Sequence, residues 1–190
     1  MSNHPTRDDA LALLHEYTKS DSLRRHALGV EQAMLKMAEK YGGDLNEWGI
    51  AGLIHDFDYE MYPTIEEHPY KGNEILKERG FPETICKAIM GHATYTGVPR
   101  DTDMAKALFS VDELTGFIFA VTYVRPSRSI FEVQPKSVKK KLKQKSFAAS
   151  VVREDIFLSV EELEIDMTEH IQFVIDALAE KAEILGLAGN

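Results

Sequence analysis

Apolar residues recur at helical spacing along nearly the whole chain, and no segment shows the strict alternation that a half-buried strand requires. Leu23, Ala27, Val30, Met34, Met37 and Tyr41 fall at steps of three and four, so they share one face of a helix predicted over 22–41, which Gly42 and Gly43 end. An earlier helix follows Thr6, whose spacing to Asp9 resembles a capping arrangement, and carries Leu11, Leu14 and Tyr17. A third is expected over about 45–57, and a fourth opens at His68-Pro69 and stops at Gly80. Pro82 opens a fifth, on which Ile85, Ala88, Ile89 and His92 share a face, and a sixth covers about 103–123. The run "GFIFAVTYV" could pass as a strand by composition, but it continues the helical stripe of its segment. Beyond Pro126 comes a less regular basic stretch, then Ser159 with Glu162 as a capping box for a long last helix closed by Gly186. The chain reads as all-α. It is expected to form a single domain over 1–190, with a helical core at about 22–123 and a C-terminal extension at about 127–186.

A chain of 190 residues can bury a sizeable core without covalent staples. Its one cysteine, Cys86, excludes an intrachain disulfide framework and fits a reducing compartment. The N-terminal stretch has no apolar signal core, and no window approaches the length of a membrane span, so the expected location is cytoplasmic, with no membrane partner. The net charge of −9 argues against general binding to nucleic acid backbones. One segment departs from that balance: "KSVKKKLKQK", residues 136–145, holds six lysines and no acid. It reads either as a solvated helix face or as a local rim that attracts anions.

The polar residues on the apolar stripes carry the chemistry. His26 sits three residues after Leu23 and four before Val30, and His92 lies on the stripe of Ile85 and Ile89. Asp112 follows Leu108 by four and precedes Gly116 by four. His55 and Asp56 adjoin at the end of the apolar run Gly52, Leu53 and Ile54, and His68 opens the next helix. Each alone has a plain structural explanation, since a lone buried histidine is more often a satisfied core group and a lone carboxylate pairs with a cation. Together, imidazoles and carboxylates drawn from separate helices suit divalent metals, and the absence of thiolate argues against a cysteine-type structural zinc site. A buried carboxylate without a partner is costly, so the set implies a compensating charge.

The order His26, His55-Asp56, Asp112 resembles the signature of the HD superfamily, named for its adjacent histidine and aspartate. "HPYKGNEILKERGF" from His68 and "AIMGHA" around His92 further resemble the subset with two extra histidines, found in HD-GYP phosphodiesterases and bacterial dinucleotide phosphohydrolases. No GYP motif follows the pair here, and the interval from Asp56 to His68 is short. The resemblance implies an all-α metal-dependent phosphohydrolase holding two divalent metals (Mn, Fe, Zn, Ni or Mg). One would take His26, His55, Asp56 and Asp112; the other would take His68 and His92, with Asp56 bridging. A metal-activated water would hydrolyse a phosphomonoester or phosphoanhydride of a nucleotide or other small phosphorylated metabolite. The alternatives are an HD-domain di-iron oxygenase, which uses a very similar ligand set, and a non-catalytic metal-binding module.

Further candidates come from position and charge. Lys71, one turn after His68, is placed to reach a substrate phosphate, and Asp58 to orient a water, both beside Asp56 as catalytic residues. Arg25, next to His26, and Lys145 and Arg153, which flank "SFAASVV", are candidate substrate-binding cations. Lys139, Lys140, Lys141, Lys143 and Lys145 are candidates for gathering an anionic substrate.

Overall fold

The computed structural model describes residues 4–189 and is all-α, with an isolated bridge between Ser129 and Ala188 in place of any strand among the described residues. The helix α1 (Arg7–Tyr17) starts at a closed capping box, in which Thr6 N–H donates to Asp9 at 2.8 Å and Asp9 N–H donates to the Thr6 hydroxyl at 3.3 Å. The long helix α2 (Asp21–Tyr41) ends at Gly42 with φ +71°, the left-handed conformation that suits glycine. Next come α3 (Leu45–Ile54), α4 (Tyr70–Glu78), α5 (Glu83–His92) and the long α6 (Asp103–Tyr123). Four shorter helices complete the chain: α7 (Pro135–Leu142), α8 (Arg153–Glu162), α9 (Met167–Ala179) and α10 (Ala182–Leu185).

Helix α3 explains the arrangement. From Trp48 to Ile54 every residue is buried, and a helix apolar all round must be enclosed by others. It packs on α2, α1, α5 and α6, while α6 also packs on α2, α5 and α8. Met34, Leu53, Ile54, Leu108 and Phe117 are fully buried in the shared core. Each such side chain contributes roughly 1.5–3 kcal/mol by leaving water.

The helix ends differ from the sequence expectation in physically readable ways. The third helix stops at Ile54, and residues 55–61 form successive turns that let His55 and Asp56 leave the helical cylinder. Those turns are tied down: the Thr18 hydroxyl donates to the Phe57 carbonyl at 2.8 Å, and Glu60 accepts from the Lys19 and Ser20 amides at 2.8 and 3.0 Å. The fourth helix begins at Tyr70, with Pro69 as its cap.

The expected capping box at Ser159 and Glu162 does not exist. Ser159 is buried inside α8 and its hydroxyl donates back to the Ile156 carbonyl at 2.9 Å, as serine does within a helix. Glu162 instead receives the Arg100 guanidinium, with Nε at 2.7 Å. The long last helix is three helices, broken where Glu164 turns left-handed at φ +55° and Asp166 caps α9 through the Thr168 and Glu169 amides. The basic stretch, expected to be irregular, contains α7. Val138 and Leu142 bury one side of it, and they join Ile156, Val174 and Leu178 in the same continuous apolar cluster as α2, α3 and α6.

Gly52 sets how closely α3 approaches α2. A Cβ there would lie 2.9 Å from the Val30 carbonyl oxygen and 3.0 Å from the Glu31 Cα, both backbone atoms that cannot swing aside. Gly49, on the same helix, would meet only the end of the Leu35 side chain at 2.9 Å. Gly52→Ala is therefore expected to destabilise the fold by about 1–3 kcal/mol, read as a lower denaturant midpoint, with Gly49→Ala much milder. Equal effects of the two substitutions would contradict this packing.

Candidate metal centre

The helices converge their polar groups on one point. His26 comes from the first turns of α2, His55 and Asp56 from the turns after α3, and His68 from the residue preceding Pro69 at the start of α4. His92 ends α5, and Asp112 comes from the middle of α6. The imidazoles of His55, His68 and His92 are buried. Among them, Asp112 Oδ1 lies 3.1 Å from His26 Nε2 and 3.2 Å from His55 Nε2. Asp56 faces two ways: its Oδ2 is 3.5 Å from His55 Nε2, and its Oδ1 is 3.2 Å from both His68 Nε2 and His92 Nε2.

The far side of three rings explains why they point inward. His55 Nδ1–H donates to the Gly52 carbonyl at 2.8 Å, His92 Nδ1–H to the Ile89 carbonyl, and His68 Nδ1–H to Asp58 Oδ1 at 2.8 Å. Each bond fixes the ring's tautomer and leaves Nε2 facing the cluster, the arrangement that metal-binding histidines use. For His55 and His92 the acceptor is a carbonyl three residues back, in the last turn of α3 and of α5, so the helix end itself sets the ring. Asp58 is buried, and its other oxygen accepts the Gly72 amide at 2.9 Å. Gly72 leaves the room for this: a Cβ there would sit 2.6 Å from the Asp58 carboxyl carbon.

Two groups of side chains can each hold a cation, His26–His55–Asp56–Asp112 and Asp56–His68–His92, with ligand atoms in each group within 4.8 Å of one another. The nitrogen and oxygen donors suit first-row divalent metals. Protonation states reflect the crowding of charge. Burial alone would push the His55 imidazole down, but the Asp56 and Asp112 carboxylates hold it well above its ordinary value. Burial likewise opposes His68, yet hydrogen bonds to Asp56 and Asp58 push it up to about 9. Burial opposes the charge on Asp56 and Asp112, yet His55, His68 and His92 around Asp56 and His55 and His26 around Asp112 hold both carboxyls below the usual carboxylate range. Without metal, the raised His55 and His68 imidazoles pair with the Asp56 and Asp112 carboxylates.

The cluster floors a pocket of about 630 Å³. The structure places none of the expected substrate cations in it. Lys71 lies on the exposed face of α4 with its Nζ 3.0 Å from Glu74. Arg25 lies against Gly186. Lys145 is exposed outside the pocket, and the Arg153 guanidinium is occupied by main-chain carbonyls of the preceding loop. No lysine of α7 lines the pocket; Lys140 and Lys141 line a separate depression with Val124 and Arg125, and Lys139 bonds to Thr168 at 2.9 Å. Asp58 does not face solvent to orient a water; it orients His68.

Among the titratable lining residues, Tyr59, Tyr95, Glu113 and Asp155 had no expectation attached. Glu113 follows Asp112 directly, and burial together with the Asp112 charge pushes its carboxyl up to about 8. Tyr95 lies three residues beyond His92. Both were findable by adjacency to a cluster residue, whereas Asp155 arrives from α8 and carried no such signal.

Asp58→Ala is expected to weaken metal binding at the Asp56–His68–His92 group roughly 10–100-fold and to spare the other group, measured by chelator competition. Equal weakening at both groups would contradict the local role of Asp58. In metal-free protein the His68 proton competes with the cation, so apparent metal affinity should climb as pH rises toward about 9 and level off above it. Because the folded value lies above the ordinary 6.5, the stabilisation from protonated His68 is fully present below 6.5 and is lost as pH rises through about 9. The melting temperature of metal-free protein should fall over that window while that of the metal-loaded protein does not; parallel curves would contradict it.

Residues 23–115 match the HD domain family. HD domains bind divalent metals. The chain is also similar to the symmetrical bis(5'-nucleosyl)-tetraphosphatase of Staphylococcus aureus (strain NCTC 8325 / PS 47), with 28% identity over 119 residues, which cover 55% of this chain and 59% of that protein. The chain thus spans less than two thirds of that relative's length. No solved structure gives a significant match. Every histidine and aspartate of the cluster falls inside the segment that matches the HD domain.

Proposed function

We propose that the chain is a metal-dependent phosphohydrolase that cleaves a phosphomonoester or phosphoanhydride of a nucleotide or other small phosphorylated metabolite. The observation that carries this reading is the Asp56 carboxylate, which offers one oxygen to each group of ligands at the floor of the pocket. The similarity to a tetraphosphatase supports the same chemistry. When bound, divalent cations supply the positive charge that draws and polarises a phosphoryl group and acidify a water beside it.

The chain's own residues do the holding. Asp56 spaces the two groups, because a carboxylate reaches two cations through two oxygens and a single imidazole Nε2 reaches one. His55, His68 and His92 keep their Nε2 lone pairs inward through the Nδ1 bonds described above. His26 and Asp112 close the first group from α2 and α6. No lysine or arginine lines the pocket, so attraction for phosphate depends on the cations.

The test is turnover of metal-loaded protein on aryl phosphates, nucleotides and a dinucleoside tetraphosphate, with metal content and circular dichroism on the same preparations. Asp56→Asn and Asp56→Ala are expected to lose metal and to lower turnover by about a thousandfold or more, the scale of several kcal/mol of metal-borne stabilisation, with helical content retained. Asp56→Asn protein with full metal and near-normal turnover would overturn the bridging role. Two irons per chain with no phosphate release from any substrate would favour oxygenase chemistry instead.

A further inference from the structure

Between α7 and α8 the chain makes a run of turns, residues 143–152, and Arg153 holds that run from within. Its Nε donates to the Leu142 carbonyl at 3.1 Å, Nη1 to the Val151 and Ala148 carbonyls at 3.2 and 3.4 Å, and Nη2 to the Gln144 carbonyl at 3.1 Å and to that of Phe147. One planar guanidinium therefore ties the start, middle and end of the loop together. A lysine, with a single ammonium point, cannot span that set. Two further contacts fix the loop to α6: the Phe147 ring meets Phe117 edge-on at 5.5 Å between centroids, and the Val152 amide donates to Glu113 at 3.2 Å.

The result of this fastening is that Ser150, Val151 and Val152 line the metal pocket. Two tyrosines line it as well. Tyr59 is 42% exposed and Tyr95 48% exposed, yet neither is loose. The Tyr95 hydroxyl donates to the His68 carbonyl at 2.7 Å, and the Tyr59 ring sits edge-on to the His68 imidazole at 5.3 Å. Large rings left uncovered beside a pocket are surfaces that another flat apolar group can cover. No lysine or arginine shares the lining with them. Beyond the metal cluster the pocket offers rings, valines, hydroxyls and carboxyl acceptors, and no positive charge.

We propose that the strap at 150–152, positioned by Arg153, and the rings of Tyr59 and Tyr95 form the specificity wall of the site, which receives an uncharged, aromatic-faced organic group whose phosphoryl end lies on the metal cluster. Arg153 is a positioning residue: it touches the strap and acts through it. This rests on the phosphoryl-binding reading of the metal cluster. It makes the preferred ligand one with charge at its phosphoryl end and an uncharged ring system beyond, rather than a second anionic chain running out of the pocket.

The test is equilibrium binding to metal-loaded protein of phenylphosphonate, methylphosphonate and inorganic phosphate, none of which needs to be turned over. The unaltered protein is expected to bind phenylphosphonate about tenfold more tightly than methylphosphonate, from burial of the ring. Arg153→Ala and Arg153→Lys should both lose that preference while inorganic phosphate affinity, metal content and the absorption spectrum of cobalt-loaded protein stay within about twofold. Tyr95→Leu leaves the Arg153 clamp untouched and should lose the preference in the same way, which keeps the question open to refutation if the Arg153 variants do not fold. No aryl preference in the unaltered protein would overturn the proposal. So would phosphate affinity falling in step with aryl affinity, or full rescue by Arg153→Lys. Aryl preference in a protein that hydrolyses no phosphate ester would sink the phosphohydrolase reading and leave the wall standing; hydrolysis without aryl preference would do the reverse.

Discussion

The contact on which the rest of the site depends is the one between the Asp56 carboxylate and three imidazoles, with His55, His68 and His92 Nε2 at 3.2–3.5 Å. A partly buried carboxylate surrounded by nitrogen donors is unfavourable unless positive charge meets it, either as protons on the rings or as a cation. Both routes use the same geometry. In the metal-free protein the raised His55 and His68 rings meet the carboxylates, and the cost of displacing their protons is what makes metal uptake depend on pH.

That contact in turn requires helix ends in particular places. Asp56 leaves the α3 cylinder because the helix stops at Ile54, and it stays put because Thr18 and Glu60 fasten the following turns to the junction of α1 and α2. Gly52 admits α2 close against α3, and Gly72 admits the Asp58 carboxylate that orients His68. The core is thus continuous with the chemistry: α3, apolar on every side, is buried as a rod whose end delivers the central ligand pair.

Helical periodicity made most of the fold legible, because α2, α5 and α6 bury stripes that recur at three and four residues, and glycines or prolines punctuate them. The helix start at Arg153 was not legible, since its cap, Val152, has no side-chain acceptor to signal it, while Ser159 and Glu162 mimic a cap inside the helix. The cluster residues were legible as a set rather than singly. His170 shows why: it is as buried as His55, yet it bonds to the Ser110 carbonyl at 2.9 Å and belongs to the core. Burial alone does not separate the two kinds of histidine; a carboxylate within reach of the ring in space does. Charge was the poorer guide. The Lys71 ammonium meets Glu74 and the Arg153 guanidinium meets main-chain carbonyls, while the pocket walls are built from tyrosines and a strap that no charge pattern marks.

The central claim is that two groups of ligands share Asp56, and the most direct measurement of it is the metal-to-protein ratio after reconstitution and removal of excess ion, on the unaltered chain and on the His68→Ala, His92→Ala double variant. The account predicts two metals per chain falling to one, with the remaining ion held by His26, His55, Asp56 and Asp112. One metal in the unaltered protein, or two retained by the double variant, would contradict it.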